Sequence, residues 1–304
     1  MNWPLACVRH AEPLSNHTSF RIGGPAEWFA EPATAQELIQ LLGAARRRGL
    51  PVLVLGGGTN CLVADRGVRG LVLHLGKGFR EIDVVSDHDA PQVRLRCGAA
   101  VTTQRLVNLA GRQGWGGVES LAGLPGQIGG AIAMNAQNIG QFVEQVTLVS
   151  FVGETQQLQR HEMEFSYRDA ALSSGIVIEA VLKFPRVALE RSADPVRDML
   201  CRRNATQELS LPSAGCAFKN PPGESAGRLI DEAGLKGTRI GDAMVSWRHA
   251  NFIVNIGQAT CDDVLSLMEH IRRHVAQRTG IRLEPEVRLV GEWLKDSAEC
   301  GMQS

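Results

Sequence analysis

The sequence predicts an α+β protein of two domains. Three observations carry this. Segments of helical period and segments of strand period follow one another without an internal repeat. A break falls near residues 185–195. A chain of 304 residues exceeds one ordinary core and suits about two domains of ~100–200 residues. The first domain is expected over 19–187 and the second, smaller one over 195–296.

The elements follow in order. Residues 34–49 read as a helix. Thr34 and Glu37 make a capping-box pattern, Leu38, Leu41, Leu42 and Ala45 form an apolar face, and Gly49 stops it. Pro51–Leu55 reads as a buried strand and Leu71–Leu75 as another. Val93–Arg96 alternates like a half-buried strand. Residues 102–113 read as a helix with Leu106, Leu109 and Ala110 on one face. Strands are expected at 145–152 and 176–184. Asp194 can cap a helix that Pro195 opens, because proline suits the first helical position. A short helix is expected over 225–236 and a strand over Asn251–Asn255. Thr260 and Asp263 open the clearest helix. Its stripe is Val264, Leu267, Met268, Ile271 and Val275, and Gly280 ends it. Val287–Val290 reads as the last strand.

Composition excludes several classes. Apolar content is 44% and charged content 21%, as in ordinary globular proteins. Thirty-two basic residues balance thirty-two acidic ones, so no general affinity for nucleic acid or anionic membrane follows. No run approaches the ~18 apolar residues of a membrane helix. The first ten residues lack an apolar signal core, so a cytoplasmic location is expected. The seven cysteines are scattered and include no Cys-x-x-Cys, which argues against a disulfide framework or zinc ribbon. His270 and His274 have metal-ligand spacing but no third ligand. A solvated face with Arg272 and Arg273 is the simpler reading, and no metal is expected.

Two glycine-rich segments stand out. Gly56-Gly57-Gly58-Thr59-Asn60 follows a strand, and consecutive glycines let backbone N–H groups turn around an anion. A tight turn explains it equally well. Leu121–Ala131 carries Gly123, Leu124, Pro125, Gly126, Gly129 and Gly130, a path nearly free of side-chain bulk. Close packing is the alternative there. Two such cradles in one domain favour a large dinucleotide such as FAD, since one would suffice for a simple phosphate.

Pro212–Pro221 places Cys216 in a turn of small residues, followed by Lys219 and Asn220. The thiol reads as an inert buried group, a nucleophile or a proton donor. No local Cys–His signature supports the nucleophile. A free thiol titrates near ~8.5, so it is protonated at neutral pH and can give up its proton. Tyr167-Arg168-Asp169 contains the one tyrosine, and Arg168 offers a planar fork for a carboxylate. Alternation puts Glu286 and Arg288 on one face. Simple ion pairs account for both arginines as well. His249 either faces a ligand or satisfies a backbone group.

In this order, these segments resemble the UDP-N-acetylenolpyruvoylglucosamine reductase family. The resemblance runs from Ser19-Phe20-Arg21-Ile22-Gly23-Gly24 to about Gly291. It includes Leu55–Asn60, Gly123–Gly126 with Gly129-Gly130 and Met134-Asn135-Ala136, Phe165–Asp169, Gly215–Pro221, Ala226–Asp231, His249–Asn255 and Leu283–Arg288. It implies a vanillyl-alcohol-oxidase-type (PCMH) FAD-binding domain followed by a smaller α+β substrate-binding domain. The single tyrosine agrees with the family's shorter type, which lacks a tyrosine-bearing loop.

The resemblance also implies an activity and its residues. NADPH is the electron donor, and the substrate is UDP-N-acetylglucosamine enolpyruvate, reduced to UDP-N-acetylmuramate in peptidoglycan synthesis. Hydride goes from flavin N5 to C3, and Cys216 protonates C2. Arg168 and Glu286 flank the substrate carboxylate. FAD falls to Gly56–Asn60, Gly123, Leu124, Pro125, Gly129, Gly130 and Asn135. Substrate falls to Arg168, Lys219, Asn220 and His249. A monomer is compatible with this reading.

Two departures from the family pattern are visible. Cys216 stands where a serine is usual. Asn135-Ala136-Gln137-Asn138-Ile139-Gly140 stands where Asn-Ala-Gly-Ala-Tyr-Gly is usual. A flavin-dependent oxidase of the same fold and a sugar-nucleotide-binding protein without turnover remain the alternatives.

Overall fold

A computed structural model describes residues 3–86, 90–172 and 175–292, without the side chains of 189–193. In chain order the elements are β1 (Val8–Pro13), β2 (Pro25–Ala30), α1 (Ala35–Arg47), β3 (Val52–Val54), β4 (Cys61–Val63), β5 (Val68–Leu73), β6 (Ile82–Val84), β7 (Gln92–Gly98), α2 (Thr103–Gln113), α3 (Ile128–Ala133), β8 (Val143–Ser150), β9 (Thr155–Gln159), β10 (Gly175–Pro185), α4 (Leu189–Thr206), β11 (Ser213–Cys216), α5 (Ala226–Glu232), β12 (Arg239–Ile240), β13 (Ala243–Val245), β14 (Phe252–Asn255), α6 (Cys261–Thr279) and β15 (Arg288–Val290). The α+β expectation holds. The sheets run β1-β2-β5-β3, β6-β7-β10-β8-β9 and β11-β14-β13-β12, with β15 parallel to β4.

The helix ends obey the local chemistry. Thr34 caps α1 by accepting from the Glu37 N–H, and Thr102 caps α2 from Arg105. Thr260 and Asp263 form a reciprocal capping box on α6, and Gly280 closes it in the left-handed conformation.

Two expectations change. Pro51–Leu55 is not a fully buried strand: β3 is the edge of its sheet and Val54 is exposed, so only one side is covered. The helix expected to open at Pro195 begins earlier, at Leu189, with Pro195 inside it.

The chain forms two compact units that interleave in sequence. The first comprises 1–9, 29–57 and 72–205, the second 10–28, 58–71 and 206–304. The boundaries read from the sequence, 19–187 and 195–296, were continuous. Residues 293–296 and Cys300 lie outside the described residues. In the first unit β7, β10 and β8 form the centre of the five-stranded sheet. β7 alternates exposed and buried residues, so Val93, Leu95 and Cys97 are buried, and Val93 pairs with the buried Phe184 of β10. In the second unit Val264, Leu267, Ile271 and Val275 of α6 join Phe218, Ile230, Val245 and Leu283 in one apolar cluster.

Candidate active site

In the second unit, the segment around Cys216 is a bulged strand rather than the expected turn. Ser213 pairs with Val254 and Cys216 with Phe252, with a register shift between them. Gly215 absorbs the shift at φ 77°. Beyond the strand, Ala217 N–H donates to the Asn251 carbonyl at 2.8 Å. The Asn251 amide then copies a strand pairing. Its Oδ1 accepts from Phe218 N–H at 3.0 Å, and its Nδ2 donates to the Phe218 carbonyl at 2.8 Å. Asn251 is buried, and so is Phe218.

Glu286 comes in against this run. Its N–H donates to the Ala217 carbonyl at 2.9 Å, and Lys219 N–H donates to the Glu284 carbonyl at 2.9 Å. Asn60 Nδ2 donates to the Glu286 carbonyl at 3.3 Å, while Arg288 N–H donates to the Asn60 carbonyl at 2.9 Å. Main-chain bonds thus hold Cys216 and Glu286 on neighbouring segments. A small apolar hollow lies against Cys216, lined also by Phe20, Ile253, Met268 and Val287.

The remaining expected residues of this unit have defined contacts. Lys219 forms an exposed pair with Glu284 at 3.5 Å, a contact of little energetic weight. Asn220 Oδ1 accepts from Ala226 N–H at the start of α5. His249 Nδ1 accepts from Asn251 N–H at 3.2 Å, which leaves the neutral ring's proton on Nε2. Burial, with a smaller push from Lys236, holds this imidazole below its ordinary value. Gly58 packs on the backbone of His17 and Thr18, where a Cβ would strike the His17 carbonyl oxygen at 2.0 Å. Close packing therefore explains that glycine without a ligand.

In the first unit, Arg168 sits in a two-residue loop. Ser166 N–H donates to the Asp169 carbonyl at 2.9 Å across it. Arg168 takes φ 63° and its guanidinium lies 5.6 Å from the Tyr167 ring centre. The buried Asn135 ties this loop down. Its Nδ2 donates to the Ser166 carbonyl at 2.8 Å, and its Oδ1 accepts from Gly140 N–H at 3.1 Å. Asn135, Gln137 and Asn138 all have positive φ, at 41°, 52° and 57°. The departure Gln137 thus adopts a backbone better suited to the family's usual glycine.

The glycines of this unit fit a flat or phosphate-bearing group. A Cβ on Gly130 would meet nothing within 4 Å, and one on Gly56 only Gln127 Oε1 at 3.7 Å. Gly123 and Gly126 have φ 71° and 114°. Thr103 fixes the loop: its Oγ1 donates to the Leu124 carbonyl and its N–H to the Gly126 carbonyl. Gly129 serves packing, since a Cβ would lie 2.9 Å from that of Ala99. The backbone at Gly56 and Gly130 is open, with room for a group to lie against it.

Most other thiols are chemically quiet. Burial pushes Cys97 up to about 12, and pushes Cys61 and Cys261 upward as well. His270 and His274 stack with ring centres 4.0 Å apart, and His274 Nδ1 contacts the His270 carbonyl. Among the described residues no group of three or more His, Cys, Asp or Glu could hold a metal. Sequence reasoning missed the role of Asn251. Its only signal was an amide set among apolar residues that continue into a strand.

Comparison with known proteins adds independent findings. Residues 207–290 match the profile of the UDP-N-acetylenolpyruvoylglucosamine reductase C-terminal domain, and residues 26–158 that of an FAD binding domain. The chain is 46% identical over 293 residues to UDP-N-acetylenolpyruvoylglucosamine reductase 2 of Symbiobacterium thermophilum, covering 93% of this chain and 92% of that protein. It is 42% identical over 291 residues to the reductase of Heliobacterium modesticaldum, covering 92% and 90%. The solved UDP-N-acetylenolpyruvylglucosamine reductase of Thermus caldophilus superposes with TM-score 0.77 at 37% identity, covering 93% of this chain and 98% of that one.

Proposed function

The chain belongs to the UDP-N-acetylenolpyruvoylglucosamine reductase family, and from this premise we propose that it reduces UDP-N-acetylglucosamine enolpyruvate to UDP-N-acetylmuramate in peptidoglycan synthesis, with FAD as cofactor and NADPH as electron donor. The observation that carries the reading is the anchoring of Cys216 beside Glu286, through the bond from Glu286 N–H to the Ala217 carbonyl. A proton donor and a carboxyl group on adjacent segments suit the addition of hydrogen across a carboxylate-bearing double bond.

Bound FAD would supply hydride chemistry, with NADPH as the source of the electrons and C3 of the enolpyruvyl group as the acceptor. Gly56, Gly57, Thr59, Asn60, Gly123–Pro125, Gly130 and Asn135 would hold the cofactor, while the packing of Gly58 and Gly129 would keep the two segments in shape. The Asn135 side chain already bonds Ser166 and Gly140, so its backbone is the part left for the flavin. Cys216 gives its Sγ proton to C2. The carbon–carbon double bond thereby becomes single, and solvent restores the thiol. Arg168 offsets the charge that builds on the substrate carboxylate. Glu286 in its protonated form donates a hydrogen bond to the same group. Lys219, Asn220 and the Nε2–H of His249 orient the nucleotide. The substrate and the donor are water-soluble nucleotides, which fits a cytoplasmic enzyme. No described helix is long and apolar enough to cross a membrane.

The test is an anaerobic half-reaction. The purified protein is expected to be yellow. Once reduced, its flavin should reoxidise on mixing with the enolpyruvyl nucleotide. Reoxidation by oxygen alone would favour the oxidase reading. Colourless protein that cannot take up FAD would sink both.

A further inference from the structure

Arg203, on α4, rests against the second glycine-rich segment of the first unit. A Cβ at position 123 would meet Arg203 Cδ at 3.0 Å and Leu200 Cδ2 at 3.2 Å. The guanidinium makes one long hydrogen bond, from Nη2 to the Ser120 carbonyl at 3.4 Å. Among the described residues no carboxylate pairs with it. Other arginines differ. Arg94 is held by Glu144 at 2.6 Å, and Arg228 lies against both Glu224 and Glu232. Those pairs are solvent-exposed, where a partner matters least. Arg203 is half-buried, and burial alone draws its pKa down, with no anion opposing the shift.

A guanidinium carries five N–H donors in a planar fork. Here one is used, and weakly. A partly desolvated cation left without an anion is unfavourable by itself, and a ligand that brings the anion removes the penalty. The loop it rests on carries little side-chain bulk and is fixed in place: Gly123 and Gly126 have positive φ, and Thr103 bonds the carbonyls of Leu124 and Gly126.

We infer that Arg203 is a cofactor-binding residue that takes the diphosphate of the bound dinucleotide. A planar fork matches phosphate oxygens in a bidentate way, which a neutral oxidised flavin ring cannot exploit to the same degree. This rests on the FAD reading above and extends it to a residue outside both glycine-rich segments.

The experiment titrates FAD and riboflavin separately into the flavin-stripped full-length protein and follows flavin fluorescence. Riboflavin has the ring but no phosphates. Arg203→Gln should weaken FAD binding about 10- to 100-fold, the scale of lost charge-assisted hydrogen bonds, and leave riboflavin affinity unchanged. Arg203→Lys should fall between, because charge remains and the fork does not. Unchanged FAD affinity in the Gln variant overturns the inference. So does an equal loss of FAD and riboflavin, which would mean a ring contact or a folding defect. If the Gln variant does not fold, the Lys variant decides by the same difference between the two ligands. Failure of the unsubstituted protein to bind FAD would instead sink the FAD reading itself.

Discussion

Cys216 and Arg168 are held in place by different physics. In the second unit, Cys216 closes a strand, and Glu286 is fixed to its neighbour Ala217 by a main-chain bond. In the first unit, Arg168 stands at φ 63° in a short loop, clamped through the side chain of Asn135. Backbone ladders do not depend on side-chain identity, so Cys216 can change chemistry without losing its place. A loop held by one amide and several left-handed residues depends on the side chains that build it. A substitution at 216 therefore tests chemistry, whereas one near 135–140 tests placement.

The largest effect is expected at Cys216. Cys216→Ala should lower turnover about 10²- to 10⁴-fold, the usual contribution of a positioned acid. Flavin reduction by NADPH and the thermal midpoint should stay unchanged, and Cys216→Ser should keep substantial activity. Stopped-flow traces of the two half-reactions check this. Equal loss in both would mean that the residue does not act as the proton donor, and a lowered midpoint would break the contrast drawn above.

Asn251 sharpens the comparison, because it is where the second unit also relies on a side chain. Asn251→Ala leaves the buried N–H and carbonyl of Phe218 without partners. A loss of about 2–4 kcal/mol is expected by urea unfolding. A loss below ~1 kcal/mol would show that the strand bonds alone hold the segment.

Gln137 probes the first unit. Its side chain is exposed while its backbone is left-handed. Gln137→Gly should relieve that conformation and stabilise the protein by about 0.5–1 kcal/mol, after allowing for the freer unfolded chain. Destabilisation would mean that the glutamine side chain contributes a contact worth more than the strain.

The smallest effect concerns pH. The folded His249 resists protonation, whereas the unfolded one titrates near 6.5. Above that value both states are neutral and the residue contributes no pH dependence. As pH falls below it, the unfolded state binds the proton first, so stability declines toward the lower folded pKa. Thermal midpoints taken across this range should fall less steeply in His249→Gln. Parallel curves would exclude the histidine as a source of acid sensitivity.

Legibility followed the locality of the signal. The capping box and stripe of α6 announced that helix at both ends, and the alternation of 93–96 announced β7. β3 was misjudged because an apolar run does not reveal whether its strand sits at an edge. β9 lay unread between two expected strands, since Gln156, Gln157 and Gln159 give it no apolar face. Motif residues were legible as a set. Arg203 and Asn251 were not assigned roles, because what distinguishes them is the partners they have or lack in the fold.

By itself, the sequence determined the α+β class and the family, and it named the residues proposed to carry the chemistry. Those depend on short-range patterns and on an ordered set of motifs along one chain. The tertiary structure alone decided that 10–28 and 58–71 join the C-terminal unit, that Cys216 ends a bulged strand, and that Arg203 lies over Gly123 with no carboxylate partner among the described residues. Each is a contact between segments distant along the chain. Whether a buried charge or amide finds its partner is settled only when those segments meet.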